Sequence, residues 1–269
     1  MTASDCPSQN YPFLTETGKN RFPFRLATTS FIYPDHIVPN VRMLEPFVDE
    51  VELLFFESTG PDSLPGPAEI EELTQLAADH QISYNIHLPL DISLTADSPA
   101  MRNTAVEKLK FIFDLAAPLA PTTWTLHLPA EDAANNFHCW HERVGQSLNR
   151  LCPAYIPGAH LCVETLSYPL EWIDDIIAAM DLSICLDIGH MAVHEMNWAA
   201  FYRKYGERIP IIHLYGFEKM HEHLGLDRMP ADIRRSTGAI LKDFTGTVCL
   251  EVFSYAHLEA SLKILPTMI

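Results

Sequence analysis

The sequence predicts a single-domain α/β protein, a (β/α)8 TIM barrel. Two observations predict it: short apolar runs alternate with segments of helical period in eight successive strand–helix pairs, and no shift in composition marks a second domain. Strands that alternate with helices in this way imply parallel pairing and right-handed crossovers. The length of 269 residues also suits one such barrel, which typically needs about 250 residues.

The first two strand–helix pairs fill the first third of the chain. The strand RLATTS (25–30) precedes a helix that starts near Asp35, and the strand VELLFFES (51–58) precedes a loop rich in Pro and Gly and the helix AEIEELTQLAADH. Residues 1–22 contain no charged segment followed by an apolar core. We therefore expect a flexible leader over 1–22, not a signal peptide, and a barrel domain over 23–269.

Each of the remaining six strands carries a potential metal ligand near its carboxyl end. In chain order these strands are YNIHLPL, WTLHLPA, LCVETLS, ICLDIGH, IIHLYGF and TVCLEVFS. The first is followed by a helix over about 99–117 whose apolar residues fall largely on one face. The other helices are predicted within VGQSLNRL, YPLEWIDDIIAAM, NWAAFYRKYG, ADIRRSTGAILKDF and HLEASLKIL, and the longest loop precedes ADIRRSTGAILKDF.

Nine imidazoles and carboxylates lie at these strand ends or in the segment MHEHLG. Each has a structural alternative when taken singly: a histidine can be satisfied in the core, an aspartate can cap the next helix, and a glutamate can pair with an arginine. Buried polar groups without partners are costly, and the carboxyl ends of barrel strands share one rim. We therefore expect a metal site formed by His87, His127, Glu164, Asp187, His190, His213, His221, His223 and Glu251.

The donor types limit the metal and the reaction. Imidazole and carboxylate donors without thiolate favour zinc or manganese, with iron or cobalt also compatible, over calcium or magnesium. Nine donors exceed the needs of one ion, so we expect two or three divalent ions, with Glu164 and Glu251 as candidate bridging and catalytic carboxylates. Such a cluster lowers the pKa of water and stabilises the entering and leaving oxygens at phosphorus, which favours phosphodiester hydrolysis.

Charge and cysteine usage restrict the partners and the compartment. The formal net charge is −17, with 18 basic against 35 acidic residues, which argues against nucleic acid because such binding depends on neutralising phosphates. No apolar run approaches the roughly 18 residues that a membrane span needs. The six cysteines form no CxxC motif, and Cys162, Cys185 and Cys249 fall in predicted buried strands. We expect a reduced, cytoplasmic setting and a small-molecule substrate; the oligomeric state stays open.

The order of the nine donors resembles that of the endonuclease IV-like branch of the xylose isomerase-like barrels. The resemblance covers nearly the whole chain and implies a trinuclear metal site at the nine residues. One position departs from the family pattern of Asp-x-His, because this chain has His221-Glu222-His223. A neutral imidazole thus replaces a carboxylate at position 221, and Glu222 is a candidate to compensate.

A narrower resemblance rests on TTSFIYPDHIVPNVRMLEPFVDEVELLFFES (28–58) and YNIHLPLDISL (84–94). These stretches resemble the cobamide-remodelling phosphodiesterases of the CbiR type. This resemblance implies hydrolysis of the phosphate–ribose bond in the nucleotide loop of vitamin B12-like cofactors, which leaves cobinamide phosphate and a base-bearing nucleoside. The corrinoid is then the substrate.

Candidate substrate contacts are Arg228 as a phosphate clamp, Glu57 at the end of the second strand, and Tyr215. Phe31 and Tyr33 are, with Tyr215, candidates to cover a corrin face. Each has a simpler alternative: Arg228 can be a solvated loop cation, and aromatic residues near barrel mouths usually pack loops.

Three other functions stay open. A sugar isomerase or epimerase of the same fold would use one ion held by Glu164, Asp187, His213 and Glu251, with the two glutamates as acid and base. An abasic-site endonuclease would need basic stretches that the chain lacks. A corrinoid-binding or metal-storage protein would bind without turnover. Metal stoichiometry separates the first of these from the phosphodiesterase.

Overall fold

The described residues form a closed barrel of parallel strands and an additional two-stranded hairpin. A computed structural model describes residues 11–59, 63–130, 133–152, 154–219 and 221–269. Its strands are β1 (Arg25–Thr29), β2 (Glu50–Leu54), β3 (Ser83–His87), β4 (Trp124–Leu126), β5 (Leu161–Glu164), β6 (Ser183–Asp187), β7 (Ile211–Leu214), β8 (Gly216–Glu218), β9 (His221–Leu224) and β10 (Thr247–Leu250). Eight of them pair in parallel in the closed order β1-β10-β7-β6-β5-β4-β3-β2. The predicted (β/α)8 barrel is confirmed.

Helices cover the outside of the barrel. They are α1 (Ile37–Leu44), α2 (Pro67–His80), α3 (Pro99–Ala116), α4 (Ala133–Leu148), α5 (Asp174–Ala179), α6 (Ile188–Val193), α7 (Trp198–Tyr205), α8 (Ala231–Leu241) and α9 (Tyr255–Ile264). In α3 the spacing of Val106, Leu109, Ile112 and Phe113 places all four in the core, as the helical period predicts. Ser98 begins this helix by accepting a hydrogen bond from the Met101 N–H.

The interior of the barrel is filled by small side chains below the mouth. Ala27, Cys162, Cys185, Ile211 and Cys249 form one buried cluster. They come from five different strands, so this layer closes the barrel and leaves the donors above it at the carboxyl ends of the strands. The three cysteines act as small apolar residues here.

Two local features differ from the sequence prediction. The segment after β7, expected to be a loop, contains the antiparallel hairpin of β8 and β9. Its turn passes through Lys219 at φ 56°, a left-handed conformation that sequence rules associate with Gly or Asn. The second strand ends at Leu54, earlier than the expected Ser58.

The chain before the barrel lies partly against it. Residues 1–10 of the expected leader lie outside the described residues. Within residues 11–22, Leu14 is buried, the Thr15 N–H donates to Glu259 at 3.0 Å, and the Pro12 carbonyl accepts from the Tyr33 hydroxyl at 3.0 Å. The domain boundary near residue 22 stays a prediction. Among the described helices, none has the length and apolar character needed to cross a membrane.

Candidate metal centre

The strand ends bring most of the predicted ligands to the barrel mouth. His87, Glu164 and Asp187 are the last residues of β3, β5 and β6. His127 and Glu251 follow β4 and β10 directly, and His213 lies within β7, level with Asp187 in the strand register. His190 comes from α6 and His223 from β9. The barrel topology therefore gathers eight of the nine residues, and His221 is the exception.

Glu164 lies at the centre of the mouth and is buried. Its Oε2 lies 2.8 Å from His127 Nε2 and 3.3 Å from His87 Nε2. Its Oε1 lies 3.5 Å from His213 Nδ1 and 3.6 Å from His190 Nδ1. One carboxylate thus faces four imidazoles on four different elements, which is the position that a bridging ligand needs.

Glu164 forms a first group of possible ligands with His87 and His127, and a second group consists of Glu164, Asp187, His213 and Glu251. One ligand atom from each of the four lies within 4.8 Å of the others. Each residue also has a buried atom that makes no well-aligned hydrogen bond among the described residues: Glu164 Oε1, Asp187 Oδ2, His213 Nδ1 and Glu251 Oε2. Their contacts are ion pairs, the shortest of them 3.2 Å between His213 Nδ1 and Glu251 Oε2. Buried polar atoms are seldom left unpaired, because the loss of hydration costs free energy. The four residues therefore fit a divalent cation.

Asp187 caps helix α6 and also belongs to the second group of possible ligands. Its Oδ1 accepts a hydrogen bond from the His190 N–H at 2.6 Å and so caps α6. Its Oδ2 makes no hydrogen bond, lies 3.4 Å from His190 Nδ1 and belongs to the second group. The helix-capping alternative and the ligand position are both compatible with this geometry, since each uses a different oxygen. Burial raises the pKa of Asp187 well above its ordinary value.

A third group lies on the hairpin side and consists of His190, Glu222 and His223. Glu222 Oε2 lies 3.8 Å from His190 Nε2, and His223 Nδ1 lies 3.7 Å from Glu251 Oε2. His223 has φ 58°, which breaks the two-residue alternation of a strand, so Glu222 and His223 can face the same side. His221 is exposed and belongs to none of the groups that the described residues form. Glu222, and not the predicted His221, therefore joins His190 and His223 in this group.

A further group, Glu164, Cys185 and His213, contains a thiol. Burial raises the pKa of Cys185 well above its ordinary value, so the thiolate needed for metal binding is disfavoured. Cys185 also belongs to the apolar layer below the mouth. We assign it to the core.

The charges of the centre shift the pKa values of its histidines and carboxylates. Burial lowers the pKa of His87, but the hydrogen bond and charge of Glu164 outweigh this effect and raise it to about 9. Burial raises the pKa of Glu164, but the neighbouring His127 and His213 lower it well below its ordinary value. These shifts favour a protonated His87 beside an ionised Glu164 when no metal is bound. A divalent cation would replace this proton.

Sequence reasoning missed Glu52, which lies in β2 and is fully buried. Its Oε1 lies 3.0 Å from His213 Nε2, and its Oε2 accepts from the Cys249 thiol at 3.1 Å. The carboxylate therefore holds the ring of His213 with Nδ1 toward Glu164 and Glu251, an arrangement common behind metal-binding histidines. A charged residue inside the apolar run VELLFFES was the available signal.

The candidate substrate contacts lie in different places. Arg228 pairs with Glu218 at 2.6 Å and with Asp227 at 3.2 Å, outside the donor groups. Glu57 is exposed beside Phe31 and Phe56 and lines a separate cavity of about 300 Å³. Tyr33 is buried against the segment before β1.

Tyr215 is fully buried under the third group. Its ring centroid lies 4.3 Å from that of His223 and 6.2 Å from that of His190. The Tyr215 ring packs against these two histidines and so helps to fix their positions. An added Cβ at Gly189 would meet this ring at 2.2 Å, so a residue without a side chain is needed there.

Comparisons with known proteins agree with the fold. A sequence model of the family described as xylose isomerase-like TIM barrel matches residues 48–267. A D-tagatose 3-epimerase-like protein has a similar structure, with TM-score 0.72, 18% identity, and 91% of this chain and 97% of that chain covered. Endonuclease IV from Thermus thermophilus gives TM-score 0.67, 16% identity, and coverage of 91% and 98%.

The IOLI protein, solved with a binding zinc atom, gives TM-score 0.67, 12% identity, and coverage of 91% and 96%. Identities this low show a shared fold and leave the reaction open. No curated protein matches the chain in sequence with statistical significance.

Proposed function

We propose that this chain, which belongs to the xylose isomerase-like TIM barrel family, is a metal-dependent phosphodiesterase that hydrolyses the phosphate–ribose bond in the nucleotide loop of a cobamide. Enzymes of this fold have their active sites at the carboxyl ends of the barrel strands, so the mouth of the barrel is the expected active site. Because this fold supports several reactions, the choice among them has to rest on the donor set.

The number of separate donor groups carries the proposal. A one-ion reaction needs only the group of Glu164, Asp187, His213 and Glu251. It leaves two further groups without a role: His87 with His127 and Glu164, and His190 with Glu222 and His223. Glu164 belongs both to the group of His87 and His127 and to the group needed for one ion. This sharing supports a site for two or three divalent ions, and the donor types favour zinc or manganese.

The residues of the chain have distinct tasks in this reaction. Bound divalent ions would lower the pKa of a water molecule and offset the charge on the entering and leaving oxygens. Glu164 and Glu251 are the proposed catalytic carboxylates. Burial raises the pKa of Glu251, but the charge of His213 outweighs this effect and lowers it, so Glu251 stays ionised and offers a carboxylate to a divalent ion. Glu52 fixes the orientation of His213.

The choice of a cobamide rests on the sequence resemblance over residues 28–58 and 84–94 and on charge. A cobamide presents one phosphodiester within a small molecule, so no basic groove is needed, and a net charge of −17 is compatible with it. The same charge speaks against abasic-site DNA as the substrate. The cysteines of the described residues are all free, which supports the cytoplasm as the proposed compartment.

A sugar epimerase is the second candidate, and one observation favours it. The group that contains Glu164 and Glu251 is buried at all four residues, and it could hold a single ion with the two glutamates as acid and base. Metal content separates the candidates, because an epimerase needs one ion per chain.

Product analysis tests the proposal. Metal-loaded protein is incubated with the adenosyl and cyano forms of a cobamide, and the products are separated by chromatography. We expect a base-bearing nucleoside and a corrinoid that retains the phosphate. Unchanged cobamide beside a converted ketose would favour the epimerase, and incision of a duplex with an abasic site would favour the endonuclease. A Glu251→Gln variant serves as the inactive control.

A further inference from the structure

Exposed apolar side chains gather on one side of the barrel mouth. Phe31, Phe56 and Phe253 follow β1, β2 and β10, and they are 41%, 36% and 39% exposed. The ring of Phe56 lies edge-on to both others, 5.2 Å from Phe31 and 6.0 Å from Phe253. Leu90, after β3, is 51% exposed, and its N–H donates to the Phe56 carbonyl. We call these four residues the phenylalanine lip.

The phenylalanine lip continues directly into the donor groups. The ring centroid of Phe253 lies 4.8 Å from that of His223. Single exposed apolar residues are ordinary, but a contiguous apolar patch beside a polar site is typical of a ligand surface. The lip therefore offers an open apolar face next to the atoms where the reaction is proposed to occur.

A cavity lies on the other side of the donor groups and has a volume of about 480 Å³. His127, His190 and Glu222 form its wall toward the metal centre. Tyr168 and Trp172 form an aromatic wall, with their rings stacked at 5.8 Å and an interplanar angle of 25°. An aromatic wall next to a few polar groups is typical of small-molecule sites.

The order of the strands separates the two surfaces. The residues of the cavity follow β4, β5 and β6, except for Glu222 of β9, whereas those of the phenylalanine lip follow β10, β1, β2 and β3. In the closed barrel these two sets of strands lie across the mouth from each other. The donor groups border both surfaces, since Phe253 contacts His223 and the cavity wall contains His127, His190 and Glu222, so a substrate that reaches both surfaces can pass over the metal centre.

We propose that the mouth contains two subsites for the two halves of an asymmetric phosphodiester. The phenylalanine lip binds a broad, flat and apolar half, and the cavity binds a planar aromatic base with its sugar. Size assigns the halves, because the cavity accommodates one fused-ring nucleoside whereas the open lip can carry a macrocycle. Aromatic side chains suit both halves, since their contacts with a flat ring system depend more on shape than on a particular pattern of hydrogen bonds. This inference rests on the proposed function, which places the phosphorus between the subsites.

Binding of the separated halves tests the two subsites. The probes are dicyanocobinamide, a corrinoid without the nucleotide, and a benzimidazole riboside, measured by equilibrium dialysis against the purified protein. Phe56→Ala combined with Phe253→Ala removes the lip, and Trp172→Leu removes the flat face of the cavity. Phe111→Ala is the matched control, because Phe111 is 60% exposed on α3 away from the mouth.

We expect the lip variant to weaken cobinamide binding at least about tenfold and to leave riboside binding within about twofold. Trp172→Leu should show the reverse, and Phe111→Ala should change neither. Trp172→Phe, which keeps a ring in the wall, provides a second cavity variant with a smaller loss if Trp172→Leu does not fold. The inference is overturned if the wild-type protein binds neither probe, if each variant weakens both probes equally, or if the preferences are exchanged.

A separate hydrolysis assay distinguishes this inference from the function on which it rests. Protein that binds both halves selectively but does not cleave a cobamide keeps the subsites and contradicts the phosphodiesterase. Protein that cleaves a cobamide while the lip and cavity variants bind like the wild type keeps the phosphodiesterase and contradicts the subsites.

Discussion

Replacing Gly189 by Ala should disturb the third donor group from below. The added Cβ would lie 2.2 Å from two ring carbons of Tyr215, and Tyr215 is fully buried, so the ring has no open space to enter. Overpacking of this kind costs about 1–3 kcal/mol, and the better helix propensity of Ala returns about 0.5–1 kcal/mol. The difference is a net loss of up to about 2.5 kcal/mol, about 1 kcal/mol at the middle of both ranges, and each kcal/mol should lower the Tm by about 2–4 °C.

The displaced ring should also reduce metal binding, because Tyr215 contacts His223 and lies below His190. We expect Gly189→Ala to hold at least one ion fewer per chain than the wild type, measured by elemental analysis beside the thermal melt. Gly145→Ala in α4 is the control, since its Cβ would meet Ile176 at an ordinary 3.7 Å. If both variants melt alike and bind equal amounts of metal, the packing argument is wrong.

Three further predictions concern the donors themselves. Glu164→Gln removes the carboxylate that two of the proposed ion sites share, so metal content should fall by at least one ion and hydrolysis by at least about 100-fold; unchanged metal content would contradict the shared role. Glu52→Gln should weaken metal binding about 10- to 100-fold, measured by competition with a chelating dye. Glu50→Gln is the control: it should destabilise the protein without weakening metal binding, because buried Glu50 accepts hydrogen bonds from Ser83 and Asn85 at the opposite end of the barrel. Equal losses of metal affinity in both variants would contradict the positioning role of Glu52. Metal affinity should rise with pH up to about 9, because the pKa of His87 is raised to about 9 and metal binding must release the proton of its ring. Calorimetry in buffers of different ionisation enthalpy counts the protons released on binding. An affinity independent of pH between about 7 and 9 would contradict this prediction.

The strands and their ligands could be predicted because the two depend on the same pattern. A short apolar run that ends in His, Glu or Asp indicates a buried strand, and the parallel topology then decides where its last residue lies. His87, Glu164 and Asp187 are the last residues of their strands in the structure. For these positions the order along the chain is enough to infer the arrangement in space.

The hairpin and Glu52 could not be predicted for local reasons. A regular strand would place His221 and His223 on one face and Glu222 on the other. The left-handed conformation of His223 changes this alternation, and non-glycine residues adopt it only when the surrounding structure requires it. Glu52 could be recognised as unusual within an apolar run, but its partner His213 lies 161 residues away.

Metal stoichiometry tests the central claim most directly. The purified chain is loaded with zinc or manganese, dialysed to remove free ions, and analysed for metal per chain by mass spectrometry, with Glu164→Gln beside it. We predict two or three ions in the wild type and fewer in the variant. One ion or none in the wild type would contradict a shared cluster at the barrel mouth.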